Sequence, residues 1–285
     1  LDECMQAYEG FDHNAQTLRV VTKLEDRYPT FPGLNLTWEM LEGLVKHNGP
    51  LITADNSVAD LPAAFRDFPW LEDLELDQFA GPEAQVAALA DDIAYNNHDI
   101  DDGLRSGLIH IEQMREVQLF STQYDKVMWK YPDLKGNRRV HETIRRMIGE
   151  QVIDLVETSR SRIAKVNPQS IDDVRNHTEQ LISFSDEMRE HNQELKKFLR
   201  ENLYFHHKVY RMTRKANQVI ESLFDVFMKD LRLLPPRHLK LARIALIETG
   251  LTGQARVIAD YVAGMTDRYA TKEYSRLFGV KGSVF

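Results

Sequence analysis

Apolar residues recur at helical spacing through most of this sequence, and that spacing limits the possible folds more than any other feature. Leu18, Val21 and Leu24 lie three positions apart, which places them on one face of a helix. Runs with the alternating apolar and polar pattern of a β-strand are scarce. The pattern therefore predicts an all-α protein.

Prolines and glycines mark the ends of the predicted helices, because neither residue continues a helix well. Pro82 at a helix start and the stop at Asn167-Pro168 are the clearest boundaries. Residues 51–81 contain scattered prolines and aromatic residues and are expected to form short helices and loops. The predicted helices are residues 14–28, 37–48, 82–98, two long helices between 109 and 166 that separate near 132–137, and then 170–188, 193–234, 238–249 and 254–269.

Composition narrows the class of protein. At 285 residues the chain can bury a sizeable core, as one large domain or two small ones. Its net charge of -8 argues against a mainly electrostatic nucleic-acid binder, which needs a basic excess. Cys4 is the single cysteine and forms no intramolecular disulfide, and no apolar run reaches the about 20 residues that cross a bilayer. These features predict a cytoplasmic protein that does not enter a membrane.

The most informative segment is residues 90–102, which read ADDIAYNNHDIDD. Steps of four residues advance about 400° around a helix, so Asp91, Tyr95 and Asp99 lie in one slowly drifting stripe. Such a stripe offers a carboxylate to a metal ion, a phenol to a phosphate and a second carboxylate to a sugar hydroxyl. From spacing alone, a solvated acidic helix end with one packed tyrosine is the commoner explanation, and both interpretations stay open.

Residues 90–102 also resemble the last metal-binding motif of the bacterial-type dNTP triphosphohydrolases of the HD-domain superfamily, the dGTPase-like proteins. Residues 10–16 resemble the segment that follows the His-Asp dipeptide of that family, and residues 34–49 resemble its next block. Residues 258–270 resemble its C-terminal signature. The four blocks keep the family order and span nearly the whole chain.

The resemblance implies an all-α, HD-domain-type helical architecture with long C-terminal helices. It implies a single helical domain over residues 1–285, in which 1–108 form the remainder of the catalytic core and 109–285 pack partly on that core and on neighbouring subunits. Members of the family cleave a dNTP at the α-phosphorus to give deoxynucleoside and tripolyphosphate, with a divalent metal (Mg, Mn or another transition metal). The resemblance also implies a homo-oligomer, tetramer or hexamer, and an effector dNTP bound where subunits meet.

The same resemblance assigns roles to individual residues. Asp91 matches the metal ligand, and Asp92 is the neighbour to test for an error in register. Tyr95 matches the position that contacts the phosphates. Asp99 matches the position that accepts a hydrogen bond from the sugar 3′-hydroxyl. His13 matches a histidine beside the α-phosphate, where an imidazole can donate to a phosphoryl oxygen or protonate the leaving 5′-oxygen.

Other candidates carry weaker signals. Considered alone, His13 is explained equally well as a helix-start residue beside an aspartate cap. Asn14 and Gln16 can hydrogen-bond substrate or polar backbone, and both interpretations stay open. Lys46 and His47 are candidate phosphate contacts, although the end of a helix favours cations in any case.

The sequence departs from the family pattern in its metal site. The family holds its metal with a His, an adjacent His-Asp pair and a later Asp, and of these only the later Asp is found, as Asp91. His98 and Asp99 are adjacent, but Asp99 already has the sugar role. One carboxylate does not make a tight site for a transition metal, which needs several N or O ligands. The expectation is an intact parent enzyme whose N-terminal portion is deleted, disordered or outside these residues.

Residues 202–215 form a basic and aromatic stretch. Family analogy suggests a helix near an effector pocket or a subunit interface, and the commoner outcome is a basic face over a core of Leu203, Val209 and Met212. The candidates for an effector or interface contact are His206, Lys208, Arg211, Arg214 and Lys215.

Three functions compete. The first is metal-dependent hydrolysis of dGTP-like dNTPs. The second is a catalytically inactive relative that acts as a nucleotide-sensing or nucleic-acid-binding module. The third is the same scaffold acting on another phosphoester, such as a nucleoside monophosphate. Tyr95 and Asp99 argue against the third function, and Asp91 argues mildly against the second. Single-stranded nucleic acid is accordingly not the favoured partner.

Overall fold

A computed structural model describes residues 1–279 of the protein. Over these residues the protein is all-α, with twelve α-helices and no β-strand, which confirms the fold class. Five short 3-10 helices and two π-helical turns, Val20–Leu24 and Arg200–Tyr204, complete this part of the chain. The α-helices are α1 (Asp2–Met5), α2 (His13–Arg19), α3 (Trp38–Lys46), α4 (Pro82–Ser106), α5 (Ile111–Met114), α6 (Gln118–Lys130), α7 (Asn137–Val166), α8 (Ile171–Arg175), α9 (Asp186–Leu199), α10 (His207–Lys229), α11 (Pro236–Ala263) and α12 (Asp267–Phe278).

Several predicted boundaries are confirmed. α4 begins at Pro82, and α7 ends at Val166 before a left-handed Asn167. Residues 51–81 contain three short 3-10 helices and loops, as expected. The break predicted at residues 250–253 lies inside α11, where Gly250 has φ 69° and ψ −153°, a conformation that glycine adopts far more readily than other residues. None of the helices in the described part of the chain is long and apolar enough to span a membrane.

Four predicted helices are too long, because capping side chains and turns end them. α2 stops at Arg19 in a π-helical turn, and residues 170–188 contain the five-residue α8 and the start of α9. The predicted helix over 193–234 passes through the π-helical turn Arg200–Tyr204 and is interrupted at Phe205 and His206, before α10 begins. The helix predicted over 254–269 ends at Ala263, and the Thr266 hydroxyl then caps α12 by accepting from the amide of Tyr269 at 3.3 Å.

The chain divides into two compact units that alternate along the sequence. Unit 1 contains residues 1–37, 54–74 and those from 211 onward. Unit 2 contains residues 38–53 and 75–210. The division into a catalytic core over 1–108 and a helical part over 109–285 stays a prediction.

The core of unit 1 lies where α1, α10 and α11 meet. Met5, Leu223, Phe227 and Ile258 are fully buried there, and the Phe227 ring packs edge-on against Tyr261 with centroids 5.5 Å apart. Burying an apolar side chain of this size contributes about 1.5–3 kcal/mol. The apolar face of α10 from Val219 to Phe227 is therefore what fastens that helix to unit 1.

The core of unit 2 is formed by α4, α6, α7 and α9. Its central side chains come from all four helices, which is why the unit packs as one body. The fully buried members include Ile100, Phe120, Met147, Leu195 and Leu199.

A chain of buried amides crosses this apolar core. Asn97 Nδ2 on α4 donates to Gln151 Oε1 on α7 at 2.7 Å, and Gln151 Nε2 donates to Asn192 Oδ1 on α9 at 2.7 Å. The three side chains are at most 8% exposed. Because unpaired buried amides are costly, the chain fixes how α4, α7 and α9 are rotated against one another.

The rotation of α4 decides which of its residues face outward. Residues two positions apart differ by about 200° around a helix, so Tyr95 and Asp99 lie nearly opposite the inward Asn97. Asp91 lies about 120° from Asn97 and is also on the exposed side. The buried amide chain thus turns the predicted stripe toward solvent.

We expect Gln151→Ala to lower the free energy of unfolding by about 2–4 kcal/mol, since Asn97 and Asn192 would each lose a buried partner. Urea denaturation measures the change. Gln193→Ala is the control: Gln193 lies on the same helix as Asn192 but is exposed, and its loss is expected to cost less than about 0.5 kcal/mol. Equal losses in the two variants would show that the amide chain does not hold the helices.

Candidate functional site

The predicted stripe lies on the exposed face of α4. The Asp91 side chain is exposed and makes no hydrogen bond or ion pair with residues 1–279. Tyr95, one turn further, has 65% of its surface exposed. Asp99 is half-buried. The stripe therefore offers an open carboxylate, an open phenol and a partly enclosed carboxylate in that order.

Asp99 has a partner that the sequence did not predict. The Tyr204 hydroxyl, in the π-helical turn after α9, donates a hydrogen bond to Asp99 Oδ2. Burial of the phenol, together with the hydrogen bond and the charge of Asp99, raises the pKa of Tyr204. Tyr204 is therefore a protonated donor at neutral pH, and it fixes the orientation of the Asp99 carboxylate.

A second unpredicted residue, Lys196 on α9, lies beside the stripe. Its ammonium is 2.7 Å from Asp92 Oδ2, and both side chains are about half exposed. The pair lines a cavity of about 250 Å³ together with Asn96 and Arg189. Of the two adjacent carboxylates, Asp92 is thus paired with a cation and Asp91 is open, although the register of the metal ligand stays a prediction.

Lys196 and Tyr204 are more than a hundred residues from their partners in sequence. A basic residue on the polar face of a helix and a tyrosine in a mixed basic stretch are both common. Only the packing of α9 against α4 shows that they belong to this site.

Lys46 is enclosed in a buried charge cluster. Its ammonium lies 2.9 Å from Glu42 Oε1 and donates to the carbonyl of Glu75 at 3.0 Å. Arg175 donates to both oxygens of Glu42 at 2.9 and 3.0 Å and stacks 4.8 Å from the Trp38 ring. With its side chain 0% exposed, Lys46 has a structural role here, and its predicted phosphate contact has no support from this geometry.

His47 is also occupied by neighbouring groups. Its Nδ1 bonds the Leu44 carbonyl at 2.9 Å, and its Nε2 bonds the Asn48 amide nitrogen at 2.9 Å. With the Asn48 amide as donor, Nε2 is the acceptor and Nδ1 carries the proton. A phosphate contact from His47 would require one of these bonds to break.

In unit 1, α2 begins at His13 because the Asp12 side chain caps it. Asp12 Oδ1 accepts from the amides of Asn14 and Ala15, both at 2.9 Å. The His13 side chain is exposed and makes no hydrogen bond with the described residues, and Asn14 is half-buried. Both side chains are therefore available to a ligand.

Gln16 is buried and ties α2 to α11. Its Nε2 donates to Asp260 Oδ1 at 3.0 Å, while its Oε1 is buried and accepts no hydrogen bond from residues 1–279. Arg19 binds Asp260 through Nε and Nη2 and reaches Asp67 through Nη1 at 2.7 Å. Burial acts to lower the pKa of Arg19, but the bonds and charges of Asp260 and Asp67 raise it overall, so the guanidinium stays charged.

The structure brings the predicted blocks together in two groups. In unit 1, Gln16 of the first block contacts Asp260 of the C-terminal block. In unit 2, α3 of the second block packs on α4, so closely that a Cβ on Gly43 would lie 3.1 Å from Ala84 Cβ. His13, Asn14 and Gln16 thus belong to one unit, and Lys46, His47, Asp91, Tyr95 and Asp99 to the other.

The basic stretch at the start of α10 is open to solvent. All side chains from Tyr210 to Gln218 are exposed, including Arg211, Arg214 and Lys215. Lys208 is exposed and His206 is half-buried. The prediction that Met212 belongs to a core beneath this face is wrong, because Met212 is 66% exposed. The buried apolar residues of α10 begin at Val219.

A metal ion would need more ligands than the described residues supply. Across residues 1–279, no three His, Cys, Asp or Glu side chains come together to hold an ion. Asp91 alone is one carboxylate, and first-row transition metals need several ligands in a defined geometry. The described residues do not by themselves fit the metal that the family resemblance implies.

Comparison with known proteins identifies the class of protein as phosphohydrolase-related. Residues 182–276, which run from before α9 into α12, match the phosphohydrolase-associated domain. The chain is 50% identical over 283 residues to a deoxyguanosinetriphosphate triphosphohydrolase-like protein of Parvibaculum lavamentivorans, covering 98% of this chain and 69% of that protein. A protein of the same description from Brucella suis is 49% identical over 280 residues, with 98% and 69% covered.

A deoxyguanosinetriphosphate triphosphohydrolase-like protein 1 from Mesorhizobium japonicum is 48% identical over 280 residues, with 98% of this chain and 68% of that protein covered. Identity at this level over nearly the whole chain leaves no ambiguity of family. The chain belongs to the deoxyguanosinetriphosphate triphosphohydrolase-like family. The family resemblance seen in the sequence is thereby confirmed.

We expect Asp260→Ala to destabilise the protein by about 3–5 kcal/mol, because Arg19 would keep a buried charge without its main partner. Thermal or urea unfolding measures the loss. Asp26→Ala is the matched control, since the Asp26–Arg237 pair of the same unit is 73% and 65% exposed and is expected to contribute under about 1 kcal/mol. A loss at Asp260 no larger than at Asp26 would contradict a structural role for the cluster.

Proposed function

We propose that this protein takes part in the hydrolysis of dGTP-like dNTPs to deoxynucleoside and tripolyphosphate. The observation that carries the proposal is the outward stripe of Asp91, Tyr95 and Asp99 on α4, with Tyr204 oriented on Asp99. Relatives described as deoxyguanosinetriphosphate triphosphohydrolase-like support the substrate class.

Asp99 is proposed to accept a hydrogen bond from the sugar 3′-hydroxyl. Tyr204 occupies Oδ2, and a carboxylate has about four lone-pair positions, so Oδ1 remains for a second donor. An ionised acceptor gives a stronger hydrogen bond than a neutral one. Tyr204 is then a positioning residue, because it acts on the sugar through Asp99.

Tyr95 and Lys196 are proposed to bind the phosphates. Tyr95 lies three residues from Asp92 and therefore one turn along the same side of α4, and Asp92 is paired with the Lys196 ammonium. The phenol can donate to a phosphate oxygen, and the ammonium can offset negative charge on the triphosphate while water attacks the α-phosphorus and the 5′-oxygen leaves. Lys46 and His47 are not part of the proposal, because each is held by its own neighbours.

His13 is proposed as the proton donor to a phosphoryl oxygen or to the leaving 5′-oxygen. Its exposed imidazole has no competing partner in the described part of the chain. Asn14 is proposed to contact substrate through its half-buried amide, and Gln16 through Oε1, which accepts no hydrogen bond from residues 1–279. The proposal includes a divalent cation, Mg²⁺, Mn²⁺ or another transition metal, for which Asp91 is the candidate ligand among these residues.

The open helical stretch of α10 is proposed as a contact for a neighbouring subunit or an effector dNTP. The side chains from residue 210 to 218 are all exposed within residues 1–279, and the cations among them suit an anionic partner. The proposal extends to a homo-oligomer, tetramer or hexamer, located in the cytoplasm. An inactive, nucleotide-sensing relative is the outcome that the following experiment separates from an enzyme.

The test is an assay of the full-length protein with each of the four dNTPs and Mn²⁺ or Mg²⁺, with separation of the inorganic products. We expect tripolyphosphate, and we expect Asp91→Ala to reduce its release at least about 100-fold, as loss of a metal ligand should exceed the effect of outer-shell changes. Asp92→Ala is the matched control, because Asp92 is the adjacent carboxylate and is paired with Lys196.

A smaller loss in Asp92→Ala than in Asp91→Ala supports the assignment. The reverse order would move the ligand by one residue. Pyrophosphate or orthophosphate in place of tripolyphosphate would contradict the reaction, and binding of dNTPs without turnover would favour the nucleotide-sensing function.

A further inference from the structure

The first half of α11, residues 236–249, carries apolar side chains that the described part of the chain leaves uncovered. Ala242 is the one buried residue of this half within residues 1–279. Ile247 is 85% exposed, and Leu241 and Ile244 are 43% and 40% exposed. A lone exposed leucine is ordinary on a protein surface, but three such side chains on one helix form a patch that indicates a binding surface.

These three side chains lie on the side of the helix away from the core of unit 1. Leu239 and Ala242 pack on that core. Because successive residues advance by about 100°, Ile244 lies about 140–160° around the helix from them, and Leu241 and Ile247 lie about 60° to either side of Ile244. The first half of α11 is thus apolar on two opposite sides, which is the pattern of a helix that is covered on both.

Opposite charges flank this apolar face at equal distances from its centre. Lys240 and Glu248 lie four residues before and after Ile244, about 40° to either side of it. Both are exposed, and neither forms an ion pair within residues 1–279. Arg237 is already paired with an aspartate of unit 1, and Arg243 lies about 100° from Ile244, at the edge of the face. Within the described residues, the charges beside the apolar centre are thus a cation before it and an anion after it.

This order of charges is complementary to a second copy of the same helix. When two identical helices pack antiparallel about a two-fold axis at Ile244, each residue before Ile244 lies level with the residue equally far after it in the other copy. Lys240 then lies level with Glu248 of the second copy, and the symmetry forms this pair twice. Leu241 lies level with Ile247 of the second copy in the same way. A parallel pair would place like charges level with each other, which is unfavourable.

We propose that the first half of α11 is an isologous interface with a second copy of this chain. Ile244 of both copies lies at its centre, apolar side chains lie on either side, and two Lys240–Glu248 pairs close its edges. A stable interface buries about 800 Å² per partner and one helix face offers less, so this contact is weak, with a Kd on the order of 10 µM. The surface is distinct from the α10 stretch, and the proposal does not depend on the hydrolase proposal.

Sedimentation velocity of the full chain, from about 1 to 200 µM, tests the interface without any measurement of activity. We expect reversible association in which the smallest oligomer is a dimer. Ile244→Glu should raise Kd at least about tenfold, because each copy would bring an unpaired charge to the centre of the contact. Leu246→Glu is the matched control: Leu246 is 38% exposed and lies about 160° from Ile244 on the same helix, so Kd should stay within about twofold. Circular dichroism checks that both variants keep the helices.

Charge reversal tests the antiparallel orientation. Lys240→Glu alone and Glu248→Lys alone each place like charges level at two points, and each should raise Kd about tenfold. The double variant restores the order of charges, so its Kd should return to within about threefold of that of the unaltered protein.

Three results would overturn the proposal. The first is an unaltered chain that stays monomeric over the whole range of concentration. The second is association that is unchanged in Ile244→Glu or equally weakened in Leu246→Glu, because the contact would then lie elsewhere, such as at the α10 stretch. The third is a double variant of Lys240 and Glu248 that associates no better than the two single variants.

Discussion

The buried amide chain from Asn97 through Gln151 to Asn192 is the constraint on which the candidate site depends. Apolar packing alone would allow α4 to rotate slightly against α7 and α9, since one aliphatic side chain can replace another at small cost. Two 2.7 Å hydrogen bonds inside the core allow one rotation. In that rotation Tyr95 faces solvent and Asp99 is half-buried. Tyr204 then reaches Asp99, and Lys196 reaches Asp92.

Each unit also contains a buried carboxylate shared by more than one donor. In unit 2, Glu42 binds Lys46 and Arg175, and in unit 1, Asp260 binds Arg19 and Gln16. Such clusters add less to stability than their distances suggest, because taking the charges out of water is costly. Their effect is specificity: each one joins segments far apart in sequence and leaves one arrangement in which the charges are paired.

The sequence predicted the fold class and most helix starts, because helical periodicity and proline positions are local signals. It did not predict where α2, α11 and the helix before α10 end, since capping by Thr266 and the π-helical turns depend on geometry. The α4 stripe could be predicted from four-residue spacing and family resemblance. Tyr204 and Lys196 could not, because only packing brings them to Asp99 and Asp92. Lys46 shows another limit of local signals, because a cation at a helix end suggests an open ligand contact and the structure encloses this side chain beside Glu42.

The central claim is that Asp99, held by Tyr204, binds the 3′-hydroxyl of a deoxynucleotide. The most direct measurement compares kcat/KM of the unaltered protein and Asp99→Asn with dGTP and with 2′,3′-dideoxy-GTP. If the claim is right, the substitution lowers kcat/KM for dGTP by about 10- to 100-fold, which corresponds to the loss of one hydrogen bond to a charged group. It changes kcat/KM for the dideoxy substrate little, because that substrate has no 3′-hydroxyl. An equal loss with both substrates would contradict the claim, because Asp99 would then act on something other than the 3′-hydroxyl.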